Sequence, residues 1–241
     1  MKARVIWTLC VATACLLVAS PATATQVPLR WVGMGPYMGT DIFNGAGKTY
    51  TNVAGIMNIL VKCDGVNPSP LRVFCVEIAE RVSADCTLYN LLDPLDGTQI
   101  PIHDGWLEFG PPMGQPKADL LCKLWASVIG PTYCDFVRYA PTDAQAAAMS
   151  LAIWEVIFET TGNPLNLSAG WFQAGNLTYK ALAQSYLDGL ANYNGPSAAL
   201  IGLQNDDHQD YITIVPEPVT LLGGVLGLGL LGGYLRRRRT A

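Results

Sequence analysis

Three groups of side chains in this 241-residue chain have the type and spacing to do chemistry. The first is a set of thiols: Cys75 within Phe74-Cys75-Val76-Glu77, and around it Cys63, Cys86, Cys122 and Cys134. Thiols can pair, bind metal or carry an acyl group. The second is Glu155 and Glu159, four residues apart and so on one helix face, the arrangement of a carboxylate pair for acid/base work. Nothing nearby marks a sugar cleft, and glutamates at such positions ordinarily face solvent. The third is the acidic run Asn205-Asp206-Asp207-His208-Gln209-Asp210. It has half the look of a calcium loop but lacks the spacing and terminal Glu, so an acidic surface turn is expected. No C-x-x-C, G-x-S-x-G, P-loop or H-E-x-x-H occurs. No catalytic residue, metal site or cofactor is therefore expected.

Composition narrows the class. Hydrophobic residues make up 50% of the chain and charged residues 14%, with a mean hydropathy of +0.25. The apolar excess sits at the two ends, residues 5–19 and 219–235. Between Thr25 and Leu235, nine Lys+Arg face nineteen Asp+Glu, a net charge of −10. An acidic body without a basic patch argues against nucleic acid as a partner, because that interaction needs clustered cations to displace counterions.

Both ends read as addresses. Lys2 and Arg4, an apolar stretch over 5–19 and small residues up to Ala24 form a signal peptide over residues 1–24. Ala22 and Ala24 fit the small-x-small rule, so signal peptidase is expected to cleave after Ala24. At the other end, Val215-Pro216-Glu217-Pro218 precedes seventeen apolar residues, 219–235, and then Arg236, Arg237, Arg238 and Arg239. Seventeen helical residues span roughly 25 Å, enough for a short membrane crossing. The four arginines place the C-terminus in the cytoplasm and the body outside. The two prolines keep the preceding segment extended at the membrane face.

Residues 215–241 resemble the PEP-CTERM sorting signal of Gram-negative bacteria: the Val-Pro-Glu-Pro motif, a Gly/Leu-rich span and a terminal arginine cluster, in that order. The resemblance implies that an exosortase recognises Pro216-Glu217-Pro218 and cleaves near it. It also implies a membrane-anchored intermediate, release to the cell surface or extracellular matrix, and exopolysaccharide as a matrix partner.

An exported body over 25–214 governs the cysteine reading. Four of the five thiols are expected to form two disulfides, drawn from Cys63, Cys86, Cys122 and Cys134 with Cys75 also in play. The connectivity stays open. Residues 25–101 look strand-like, with Gly33, Gly35-Pro36, Asn44-Gly45 and Asn67-Pro68 as punctuation, and residues 71–78 alternate as a strand should. Helices are predicted over 118–129, over 146–158 behind a Thr142/Gln145 capping box, and over 176–193. Residues 210–215 alternate as a closing strand. The fold expected is α+β: a β-rich domain with a three-helix sub-lobe inserted before a final strand, plus the N-terminal signal peptide and C-terminal transmembrane helix.

Phe74-Cys75-Val76-Glu77 on a strand, with Ala152-Ile153-Trp154 on a helix, resembles the bacterial surface thioester domain and its exosortase-sorted relatives. In that family a strand cysteine and a helical glutamine join in a Cys–Gln thioester. Here Cys75 falls on the cysteine, while the glutamine position falls on Ser150, whose hydroxyl has no acyl carbon to give. Three functions follow as alternatives. The first is a non-enzymatic exported surface or matrix protein sorted by its tail. The second is a covalent adhesin using a Cys75 acyl bond, with Gln145 as donor, and the third a secreted hydrolase using Glu155 and Glu159.

Overall fold

The computed structural model describes residues 25–214 except 46, 48, 66, 79 and 96–112. The expected signal peptide and the sorting segment from Val215 onward lie outside these residues. Among the described residues, no helix is long and apolar enough to cross a membrane.

Seven antiparallel strands form the sheet: β1 (Thr25–Asn44), β2 (Thr49–Val61), β3 (Ser69–Cys75), β4 (Thr87–Leu92), β5 (Phe172–Ala174), β6 (Leu200–Gln204) and β7 (Tyr211–Ile214). Their spatial order is β2-β3-β7-β6-β4-β1-β5, and β1 pairs with β2 as well. Leu29 faces Val61 on one side and Thr87 on the other, so six strands close into a ring with β5 attached to the far end of β1. The long β1 runs straight through Gly33, Gly35 and Pro36, residues expected to punctuate the strands. They are bulges: the pairing with β2 shifts between Trp31 and Gly33 and again between Met34 and Tyr37. Opposite them, a Cβ on Gly55 would lie 2.3 Å from the Pro36 carbonyl oxygen, so only glycine allows the strands to approach there.

The period-two pattern of each strand sorts side chains into two cores. All six ring strands contribute to an inner cluster that includes Leu29, Met57, Ile59, Val73, Cys75, Tyr89, Leu203 and Tyr211. Their alternates, among them Ile42, Ile56, Phe74, Leu92, Leu200 and Ile212, belong to a larger cluster shared with the helices.

Among the described residues, four helices cover the outside: α1 (Gln115–Val128), α2 (Tyr133–Arg138), α3 (Asp143–Phe158) and α4 (Lys180–Leu190). The three-helix expectation is corrected in two ways. The short α2, started by a Thr132/Asp135 capping box, was missed, and β5 interrupts the helical part. Two strands rather than one follow α4. α3 begins at the expected capping box: the Thr142 hydroxyl accepts from the Gln145 amide, while Gln145 Oε1 accepts from the Thr142 amide at 2.9 Å. Every residue from Ala146 to Phe158 is buried. The helix packs against β1, β2 and β5 of the sheet and against α1 and α4. This placement explains a segment that is apolar all round. The architecture is α+β.

Candidate functional site

Strand β3 and helix α3, the two elements that carry the quoted signature, are in contact through one hydrogen bond: the Trp154 indole Nε1 donates to the Cys75 carbonyl at 3.1 Å. Trp154 is 1% exposed, consistent with its expected packing role. Alternation along β3 turns the Cys75 side chain inward with Val73, whereas Phe74 faces the helices and meets Trp125 edge-on at 5.6 Å. Ser150, on α3, donates to the Gly55 carbonyl at 3.2 Å. The two positions on which a thioester would depend thus make separate hydrogen bonds, and neither supplies an acyl group.

Gln145 is no substitute. It lies nine residues before Trp154, about 13 Å along the helix axis. Its carbonyl oxygen is held in the Thr142 cap. The structure therefore corrects the Cys75–Gln145 alternative.

The thiol itself is poorly suited to attack. Cys75 donates to the Glu77 carbonyl oxygen. Burial, reinforced by the charge of nearby Glu77, pushes its pKa well above the usual thiol value, so it stays protonated. Next to it lies an arrangement that sequence reading missed. The Asp210 amide donates to Glu77 Oε2 at 2.8 Å, and Gln209 Nε2 donates to the Glu77 carbonyl at 3.0 Å. The Glu77 carboxyl is pushed up to about 10, by burial first and by Asp210 second. The expected surface turn is thus corrected at its end. Asp206 and Asp207 are exposed, but Asp210 is fully buried, where its Oδ1 accepts from the Asn205 amide at 2.7 Å and closes the β6–β7 turn. An alternating strand pattern that continued to Asp210 was the available signal, since position 210 shares a face with Ile212 and Ile214.

A cavity of about 530 Å³ opens beside Cys75, lined by Trp31, Met34, Met57, Val82, Trp154 and Gln209 among others. It sits against the bulged part of β1. Tyr37 and Val53, 46% and 41% exposed, stand at its edge. No group of three or more His, Cys, Asp or Glu arranged for a metal ion occurs among the described residues.

Glu155 and Glu159 are the clearest departure from expectation. Both are buried, at 0% and 1% exposure, beneath the segment that follows α3. Glu159 Oε1 accepts from the Thr160 amide and the Asn163 side chain, and Oε2 from the Trp171 and Phe172 amides. Glu155 Oε1 accepts from the Asn166 amide at 2.5 Å. Burial pushes the Glu155 carboxyl up to about 8. Lys117 Nζ donates to the Ile157 and Glu159 carbonyls and so satisfies the end of α3. The carboxylates fold the 160–172 segment back onto the helix; they are not arranged around a cleft.

Of the cysteines, Cys63 and Cys86 form a disulfide with a Cα–Cα distance of 5.8 Å. It joins the turn after β2 to the segment before β4. Cys122 and Cys134 are free thiols, which corrects the expectation of a second bridge. Cys122 is packed against the helical core on α1, whereas Cys134 is exposed on α2 beyond the Gly130-Pro131 turn. The sorting residues Val215, Pro216, Glu217 and Pro218, the arginines 236–239, and Ala22 and Ala24 lie outside the described residues.

No family model matches the chain. No curated protein matches it either. Among solved structures, the chain is similar to the N-terminal thioester domain of a surface protein from Clostridium perfringens. The two are 13% identical with a TM-score of 0.41, over 79% of this chain and 99% of that one.

Proposed function

We propose that this chain is an exported, non-enzymatic protein of the cell surface or extracellular matrix. Signal peptidase removes residues 1–24, and an exosortase processes the anchored intermediate at Val215 to Pro218. The body 25–214 then acts through non-covalent contacts. The observation that carries this reading is the state of the five body cysteines. The Cys63–Cys86 bridge fits an oxidising compartment. Cys75 is a buried, protonated thiol, Ser150 has no acyl carbon to give it and Gln145 is held in the α3 cap, which favours non-covalent action over a bond to either. The Gln209 carboxamide, bonded to the same Glu77 carbonyl as the thiol, is the donor that the mass measurement below has to exclude. The two terminal addresses and the acidic body supply the route and the setting.

Intact and peptide-mapped mass of the protein from cells and from medium, without reduction, tests the proposal. The expected species starts at Thr25, ends near Pro218, carries the Cys63–Cys86 bridge and shows no deficit of one ammonia. A chain that keeps Arg239 in every fraction would make it a permanent membrane protein. A missing ammonia mapped to Cys75 would restore the covalent reading.

A further inference from the structure

A second cavity, of about 400 Å³, lies among α1, α3, α4 and the turn after α4, and shares no lining residue with the Cys75 cavity. Three tyrosines, Tyr139, Tyr186 and Tyr193, form part of its wall, and Gln145, Ser185 and Asn192 supply amides and a hydroxyl. No charged side chain lines it. In a body with eighteen carboxylates, that neutrality is a selective feature of the surface.

The polar groups are held in place by the fold while part of their capacity stays open. The Gln145 carbonyl oxygen is fixed by the Thr142 amide and hydroxyl, which leaves the Nε2 protons to donate into the groove. Ser185 donates to the Leu182 carbonyl at 2.7 Å and keeps its lone pairs to accept. The Tyr193 hydroxyl donates to the Pro196 carbonyl at 2.7 Å, which fixes its ring. A Cβ on Gly195 would lie 2.6 Å from that hydroxyl oxygen, so the glycine is what lets the ring lie there. The floor includes Gly189, within α4, where an added Cβ would meet nothing within 4 Å. A glycine inside a helix is about 1 kcal/mol less favourable than alanine. Here it keeps the groove open.

We propose that this groove binds a neutral saccharide. Sugar hydroxyls both donate and accept, as do these amides and hydroxyls. The apolar C–H faces of a pyranose suit tyrosine rings, and the ligand's remaining hydroxyls stay in water. An anionic glycan would find no cation in the groove to pair with, and an apolar segment would leave the amides unpaired. The inference names a ligand class for the matrix role above and rests on that reading for its biological setting, but its test does not depend on sorting.

The protein is purified as its cells release or retain it. It is titrated with cellotetraose, maltotetraose, chitotetraose and mannotetraose, and with tetragalacturonate as the anionic probe, by calorimetry and tyrosine-sensitive spectroscopy. At least one neutral oligosaccharide is expected to bind and tetragalacturonate is not. Gly189→Leu, whose Cβ would meet nothing within 4 Å and whose side chain adds bulk at the groove wall, is expected to weaken binding at least about tenfold. Tyr186→Ala is expected to do the same, with unfolding midpoints confirming that both variants fold, while Cys75→Ser leaves affinity unchanged. Absence of binding to all four neutral probes, equal binding of tetragalacturonate, or full affinity in a folded Gly189→Leu overturns the proposal. Binding by a chain that retains Arg239 would sink the sorting reading and leave this one standing.

Discussion

The Trp154 indole nitrogen donates to the Cys75 carbonyl oxygen, 3.1 Å away and 79 residues earlier in sequence. Through it the helix is bound to the main chain of the strand while the thiol faces the opposite way, into the ring. Trp154→Phe keeps most of the buried ring area and deletes this donor. It leaves a buried carbonyl short of a partner, so a loss of about 1–3 kcal/mol is expected in urea unfolding. A change within error would show that the bond is incidental to packing.

The three thiols differ in environment, and their labelling should follow. Cys134 is expected to react with a thiol probe in the native protein, Cys122 slowly and Cys75 only after unfolding. Peptide mapping after a timed iodoacetamide pulse reads all three. Rapid native labelling of Cys75 would contradict the protonated, buried state described here.

Glu159 accepts four hydrogen bonds from the segment that follows α3. Glu159→Ala strands those donors, two of them the amides of Trp171 and Phe172, and is expected to destabilise the protein by about 3 kcal/mol or more. Gly170→Ala should act on the same contact from the other side. Its Cβ would lie 2.1 Å from Glu159 Oε2 on a backbone at φ +105°. Chemical unfolding of both single variants and the double checks this, since damage to one shared contact is less than additive.

Stability should fall as pH rises. Unfolded, Glu155 and Glu77 titrate near 4.5; folded, they are raised to about 8 and about 10. The native state therefore holds protons that the unfolded chain releases. Their stabilisation is complete below pH 4.5 and is lost progressively up to about pH 8 for Glu155 and about pH 10 for Glu77. Unfolding free energies at mildly acidic and mildly alkaline pH should differ in that sense. Glu155→Gln should flatten the lower part of the profile, and an unchanged slope in that variant would remove Glu155 from the account.

The Cys63–Cys86 bridge closes a loop with a sequence separation of 23. Chain-entropy arguments give it about 3 kcal/mol. The Cys63→Ser, Cys86→Ser double variant should lose stability of that order, and a midpoint unaltered by reduction of the wild type would count against it.

The helical half was the more legible in sequence, and the reason is range. Thr142-Asp143-Ala144-Gln145 announces the start of α3 through contacts three residues apart, and the structure has them. Closure of the ring depends on Leu29 meeting both Val61 and Thr87, pairings that no local pattern encodes. Gly33, Gly35 and Pro36 are chemically the same residues in a turn as in a bulge, so β1 looked broken. Glu155 and Glu159 looked solvent-facing because their partners, Asn163, Asn166, Trp171 and Phe172, come from a segment whose return onto α3 is itself set by those carboxylates. The partner of the Cys75 carbonyl was out of reach for the same reason, whereas the burial of Asp210 was signalled by the alternation it shares with Ile212 and Ile214. A composition count registers acidity but not which carboxyl is folded inside.

Closure of the six-stranded ring has a further consequence for how this body meets other chains. Each ring strand already has a neighbour on both sides, and the added strand β5 is three residues long. Around the closure at Leu29 little exposed backbone is left to template another chain, while among the described residues 30–41 of β1 and 49–55 of β2 have a strand partner along one edge only. Assembly through the closed part of the ring has to be written in side chains, which leaves the outer β1–β2 ribbon as the place where a further extended chain can add.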